Sequence, residues 1–362
     1  MFHDLSLPLL FGIFGAAAAA IWLAGIKLSD MTDVLSHRLH LGQALGGVIL
    51  LAIATNLPEV AITVSAGLSD NLGVAVGNIL GGIAIQTVVL VALDAFGTRN
   101  GNPLTYRSAS LVLVLEGVLV IAVLIVAIMA TQLPASLVAA RLTPGAVLIG
   151  LVWIVGIWLL SRAGKGLPWH DSMGNAPNTQ SAPKGHSKAG KAGGGSTGPT
   201  TTAHAGTVFV IAAAVTLVAG VVLERSGTAV AEHIGMSGVL FGATVLAAAT
   251  SLPELSTGLA SMKLHDYQLA FSDIFGGNAF LPVLFLLATL VSGKAVLPHA
   301  QNTDIYLAGL GILLTTVYIC GLIFRPKRRV LGMGVDSLVV LVLYVVATAG
   351  LVVIATSSPP QG

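Results

Sequence analysis

Ten runs of mostly apolar residues, each about long enough to cross a lipid bilayer, follow one another along this chain. A crossing helix needs roughly 20 such residues. The runs fall at 7–26, 41–66, 72–94, 108–130 and 144–161, and then at 207–224, 236–262, 268–293, 304–324 and 333–356. Backbone polar groups in lipid must be satisfied within the protein, and for runs of this length a helix does so. The expected fold is an all-α polytopic membrane protein with about ten transmembrane helices. Hydrophobic residues make up 55% of the 362 and charged residues 9%, against about a quarter charged in soluble domains. The first run has no basic segment ahead of it and shares in the repeat described below, so it reads as mature structure rather than a signal peptide.

Residues 162–206, between the fifth and sixth runs, are rich in Gly, Ser, Thr, Pro and Lys. A segment with so little to bury reads as a flexible linker. The expected organisation is a first membrane repeat over 1–161, the linker, and a second repeat over 207–362. With the N-terminus outside, fourteen of the seventeen lysines and arginines fall on the inner side, among them Lys184, Lys188 and Lys191 in the linker and Arg325, Lys327, Arg328 and Arg329 near the C-terminus. That bias predicts both termini outside and the linker in the cytoplasm, in a plasma (cell) membrane protein. The basic residues form no nucleic-acid patch. The single cysteine, Cys320, excludes an intramolecular disulfide and a thiolate metal cluster. All nine histidines lie outside the apolar runs, which argues against an intramembrane zinc site or Ser-His pair. The partners to expect are the bilayer and small inorganic cations, with no cofactor and no enzyme activity.

An internal duplication is visible by eye. The stretch from Leu41-Gly42 to Ala54-Thr55-Asn56-Leu57-Pro58-Glu59 matches that from Met236-Ser237 to Ala249-Thr250-Ser251-Leu252-Pro253-Glu254 at an offset of 195 residues. The same offset relates Gly25 to Gly220, Leu28 to Leu223, Ile79 to Ile274 and Gly81-Gly82 to Gly276-Gly277 without a gap. Five crossings per half invert the second half relative to the first. Pro58-Glu59 and Pro253-Glu254 are then expected to approach the midplane from opposite sides, the inverted-repeat plan of secondary transporters.

Proline within a helix removes a hydrogen bond and loosens the backbone one turn earlier, here around Thr55 and Thr250. The freed carbonyls, the hydroxyls of Thr55, Thr250 and Ser251 and the amide oxygen of Asn56 are candidate oxygen ligands. A carboxylate at mid-membrane costs at least about 2.5–3.5 kcal/mol, so Glu59 and Glu254 call for a cation or a proton. Two glutamates match the charge of one divalent ion, and Ca²⁺ takes six to eight oxygens. The competing account is a pair of protonated glutamates bonded across the bundle. Asp273 adds a third acid, either in the site or near the boundary in water. Gln86, Asn78 and Asn278 are further amide candidates. Glu116 has no repeat partner and is expected to satisfy a local hydrogen bond. Asp94, Asp304 and Asp336, at run ends, are expected to be solvated.

The sequences Thr55-Asn56-Leu57-Pro58-Glu59 and Thr250-Ser251-Leu252-Pro253-Glu254, with Gly77-Asn78-Ile79-Leu80-Gly81 after the first, resemble the signature repeats of the cation/Ca²⁺ exchanger superfamily. The resemblance implies a central site enclosed by the second and third helices of each half, with first helices that slide to switch access. It implies Glu59 and Glu254 as acidic ligands and Thr55, Thr250 and Ser251 as oxygen ligands. It departs from the pattern at Asn56 (usually serine), at Gly82 and Gly277 (usually serine), at Gln86 (a longer amide), at Leu281 (usually acidic or amide) and at Ser272-Asp273 (usually Gly-Asn). Several oxygens of the family's sodium sites are thus absent while both glutamates remain. The expected function is exchange of Ca²⁺ for Na⁺ or H⁺ by alternating access. The alternative is a non-transporting scaffold or sensor of the same fold with a degenerate ion site.

Overall fold

A computed structural model describes residues 2, 5–38, 47–98, 101–164, 166–167, 202–236, 238–263 and 265–357. Most of the expected linker, along with residues 39–46, lies outside the described residues. The first half contains α1 (Leu7–Arg38), α2 (Gly47–Thr55), α3 (Leu57–Leu68), α4 (Leu72–Gly97), the short α5 (Leu104–Ser108), α6 (Leu111–Ala130) and α7 (Pro144–Ala163). The second half opens with α8 (Thr202–His233). It continues through α9 (Gly238–Phe241), a π turn (Gly242–Leu246), α10 (Ala247–Thr250), α11 (Leu252–Lys263), α12 (Tyr267–Phe280), a 3₁₀ turn and α13 (Leu284–Ser292). It ends with α14 (Asn302–Phe324), a hairpin of β1 (Arg329–Val330) and β2 (Met333–Gly334), and α15 (Val335–Ser357). Among the described residues, eight segments are helical, long and apolar enough to span a bilayer. The second span of each half is instead two helices end to end, broken at Asn56 and at Ser251. Helices thus stand where all ten spans are expected.

Two boundaries differ from expectation. The helices α1 and α8 each run 32 residues, about 48 Å at 1.5 Å per residue, against a hydrocarbon core of about 30 Å. Hydropathy marks only their apolar middles. Their polar ends, including Lys27 and Asp30 in α1 and His204 and His233 in α8, continue as helix while the two pack along each other. Residues 202–206, expected as linker, are therefore helical. Elsewhere local chemistry sets the ends: Ser110 accepts from the Val112 amide at the start of α6, and Thr143 accepts from Ala146 ahead of Pro144 in α7.

The centre of the bundle is α4 and α12, the most buried of the spans. Outside them, α7 and α15 expose apolar faces, with Trp158 and Leu151 on one and Val346 and Val353 on the other. Faces of this kind are directed at lipid tails.

The repeat survives in detail. Asp70 and His265, 195 residues apart, both have a left-handed φ of 61°, and the next amides reach back to Ala66 (2.8 Å) and Ser261 (2.9 Å) to close α3 and α11 in the same way. The first helix of each half packs on the helix break of the other. A Cβ on Gly25 would lie 2.8 Å from Pro253, and one on Gly220 would lie 2.8 Å from Ala61 and 3.2 Å from the Pro58 carbonyl oxygen. One turn further along α8, Glu224 accepts a 3.0 Å bond from Ser65 of α3. The helices α8 and α3 therefore run parallel through this contact.

Three acids expected to be solvated are buried instead: Asp94, Asp304 and Asp336. Asp94 accepts from the Thr98 hydroxyl (3.0 Å), the Leu104 amide (2.8 Å), the Gly334 amide (2.6 Å) and the Ser337 hydroxyl (2.7 Å). It thereby fastens the hairpin and the start of α15 to the end of α4. Asp304 closes a capping box with Gln301. Glu116 is likewise held at a distance in sequence, accepting 2.9 Å from Ser272 of α12.

Replacing Gly220 by leucine forces a side chain into the Pro58 backbone. Overpacking of this sort costs about 1–3 kcal/mol, and a lowered melting temperature in detergent is the expected result. An unchanged melting temperature would contradict the described contact.

Candidate functional site

Proline has no amide hydrogen, so the carbonyls of Ala54 and Ala249 lose their normal partners at positions 58 and 253. The resulting breaks are one residue wide. Asn56 (φ −88°, ψ 14°) and Ser251 (φ −81°, ψ 3°) leave helical geometry. Bonds from Asn56 N to Ala52 O and from Ser251 N to Ala247 O still approach them from behind. The unwinding is narrower than a long irregular stretch, since the helix resumes at once in α3 and α11. Glu59 and Glu254 then fall in the first turns of those helices, where the positive end of the helix dipole favours a carboxylate.

All nine candidate ligands are buried: Thr55, Asn56, Glu59, Asn78, Gln86, Thr250, Glu254, Ser251 and Asp273 are each no more than 2% exposed. Asp273 is therefore part of the interior and not at a wet boundary. The two halves cross over at the centre. The Thr250 hydroxyl lies beside Glu59, and the Thr55 hydroxyl lies beside Glu254 and Asp273. Each threonine gives its proton to its own helix, Thr55 to Leu51 O (3.1 Å) and Thr250 to Ala247 O (3.2 Å). Each hydroxyl also lies within reach of a central carboxylate, so it can turn its proton to the backbone or to the acid. Ser251 donates 2.7 Å to Ala247 O.

Most of the carboxylate oxygens here lack a partner. Both oxygens of Glu59, both of Asp273, Oε2 of Glu254 and Oε1 of Gln86 have no hydrogen-bond partner. Glu254 Oε1 faces Gln86 Nε2 at 3.5 Å, and the same nitrogen donates to Asn56 Oδ1 at 3.2 Å. Asn56 donates in turn to Ala52 O at 2.6 Å. Its amide oxygen is thus engaged within the protein. Asn78 packs near Gly242 of the π turn, with neither amide atom bonded. Among the described residues no three His, Cys, Asp or Glu side chains have metal-holding geometry together. The donor set is mixed: carboxylates, hydroxyls and amides, the hard oxygens that Ca²⁺ and similar cations take.

Close approach of the repeats packs the helices around these residues. Residue 83 meets its own repeat partner, as Asn278 Nδ2 reaches Ile83 O (3.4 Å) and Thr87 Oγ1 (3.1 Å). The pseudo-twofold axis passes here, and Asn278 serves as a strut across it. A Cβ on Gly277 would lie 2.8 Å from Asn56 Nδ2, and one on Gly82 would lie 3.4 Å from Leu281. The space that a side chain at 82 or 277 would fill is thus occupied by Leu281 and Asn56. The Glu224–Ser65 pair was not singled out by sequence. Its one signal is that Glu224 stands at the repeat position of Ser29.

The Sodium/calcium exchanger protein family matches residues 9–162 and 204–353, one segment for each repeat. The chain belongs to this family, and it is an integral membrane protein. It is 24% identical over 316 residues to the putative antiporter CaxA of Alkalimonas amylolytica, covering 86% of this chain and 90% of that protein. Its fold is similar to that of the H⁺/Ca²⁺ exchanger CAX, with a TM-score of 0.67 at 11% identity over 96% of this chain and 86% of the other. It is also similar to the sodium-calcium exchanger NCX_Mj, with a TM-score of 0.57 at 15% identity over 95% and 99%.

Gly277→Ser should drive the Asn56 and Gln86 amides from their bonds and destabilise the protein by about 1–3 kcal/mol. Asn56→Ser in the same chain should restore most of the loss. Thermal unfolding of the single and double variants checks this, and no recovery in the double variant would contradict the described crowding.

Proposed function

We propose that this exchanger-family member is a secondary active antiporter that moves a divalent cation, Ca²⁺ by its ligand chemistry, against Na⁺ or H⁺. The observation that carries the reading is the set of buried carboxylate oxygens on Glu59, Glu254 and Asp273, at and beside two helix breaks, five of whose six oxygens have no hydrogen-bond partner. Buried charges are otherwise paired or coordinate metals. Thr55, Thr250 and Ser251 contribute hydroxyl oxygens, with Asn56, Gln86 and Asn78 around them. The named activities of CaxA, CAX and NCX_Mj support the same reading, since each is called an antiporter or an exchanger.

Coupling follows from charge. A cation that neutralises the glutamates lets the loaded site cross between two access states. An unloaded site leaves uncompensated charge in a low-dielectric interior and does not cross readily. Obligatory exchange results, because each return journey needs another cation. The halves 1–161 and 207–362 form the two repeats, and the excess of Lys and Arg supports an orientation with both termini outside, the connecting segment in the cytoplasm and the protein in the plasma membrane.

In proteoliposomes, Glu59→Gln and Glu254→Gln should each abolish Ca²⁺ uptake driven by an imposed Na⁺ or pH gradient. Unchanged uptake in both variants would refute the site. A purified protein that binds no cation would favour the non-transporting scaffold instead.

A further inference from the structure

A fourth buried carboxylate, Glu224, stands on α8 away from the central acids and is 2% exposed. Its polar neighbours are hydroxyls. Oε2 accepts 3.0 Å from Ser65 Oγ of α3, and Oε1 stands 3.4 Å from Thr228 Oγ1, one turn along its own helix. The rest of the seam is apolar. The helix α1 brings Ala17 and Ile21 into one cluster with Ala219 and Leu223 of α8, and Phe241 of α9 lies against Gly227. Among the described residues the charged group facing Glu224 is the adjacent Arg225, which is exposed. Lys294 and Asp70 form an ion pair among these residues, and Glu224 forms none. The seam is open at one end, where Ser69, one turn beyond Ser65, is exposed and Thr228 is half-buried. Its other end reaches the helix break, where Gly220 meets the Pro58 carbonyl. The repeat holds no second copy, since Ser29 stands at the position of Glu224 and Ala260 at that of Ser65.

We infer that Glu224 is a proton-binding site separate from the central acids, and that it sits un-ionised between Ser65 and Thr228. A divalent cation does not suit this place, because one carboxylate and two hydroxyls fall short of the six to eight oxygens that Ca²⁺ takes. A proton needs a single acceptor, and a hydroxyl can donate or accept. Ser65 donates to Oε2, and a proton on Oε1 is donated in turn to Thr228 Oγ1. The open end of the seam supplies that proton from water. A bare carboxylate in the same place would be a buried, unpaired charge, which proteins avoid by neutralising the group. With the proton in place, α8 rests on α3 beside the Pro58 break without an uncompensated charge between them. The central acids differ, because five of their six oxygens have no hydrogen-bond partner, whereas both oxygens of Glu224 have one.

Infrared spectra of the purified full-length protein at neutral pH test the inference. The unaltered protein should show the carbonyl band of an un-ionised carboxylic acid, and Glu224→Gln should remove it. Saturating Ca²⁺ should leave that band in place, since Glu224 lies outside the central site. A Glu224→Gln spectrum that loses only ionised-carboxylate absorption overturns the inference, and so does a band that Ca²⁺ abolishes. If Glu224→Gln does not fold, Ser65→Ala decides the matter. Without the hydrogen bond to Oε2 the same band should move to higher frequency, and an unmoved band overturns the inference.

Discussion

The structure is built around a group of buried carboxylates, most of whose oxygens have no hydrogen-bond partner. Both oxygens of Glu59 and of Asp273 have no hydrogen-bond partner, and Glu254 has one long amide contact from Gln86. A buried charge without a partner costs several kcal/mol. The protein tolerates that arrangement because its stability is invested elsewhere, in close helix packing and in polar clamps away from the site.

The clamps and the site use carboxylates in opposite ways. Asp94 is surrounded by four donors and joins α4 to the start of α15. Its role is to hold one geometry. The central acids have fewer such donors, which in the proposed antiporter leaves their charge available to a mobile ion. Between the two lies a packing surface of small residues. Gly25 and Gly220 bring α1 and α8 against the helix breaks of the opposite half, so any movement of those long helices is felt directly at Pro253 and Pro58. The single buried bond from Ser65 to Glu224 on one of these surfaces is absent from the repeat-related position, where Ser29 replaces the acid.

Much of this was legible in the sequence, for identifiable reasons. Hydropathy gives the spans because lipid demands uninterrupted apolar length. The 195-residue offset gives the two halves, and Pro58-Glu59 with Pro253-Glu254 gives the breaks, because proline chemistry is local. What was not legible depends on residues distant in sequence. Asp94 looked like a solvated helix end, and its donors at 334 and 337 become visible only when the hairpin folds back. Glu116 looked local and is bonded across 156 residues to Ser272. Asp273 could not be assigned to water or interior until α12 was found at the centre. The long polar ends of α1 and α8 were missed because hydropathy stops at charge, whereas a helix packed on another helix does not.

The account stands or falls on whether ion movement is obligatorily coupled. Purified protein in liposomes loaded with labelled Ca²⁺ should retain most of the label when the outer medium is buffered at alkaline pH, where protons are scarce, and contains only an impermeant organic cation. Adding unlabelled Ca²⁺ outside should release it by one-for-one exchange without any imposed gradient. Release at the same rate in both media would mean an uncoupled channel, and it would contradict the proposal that a loaded central site is what permits the access change.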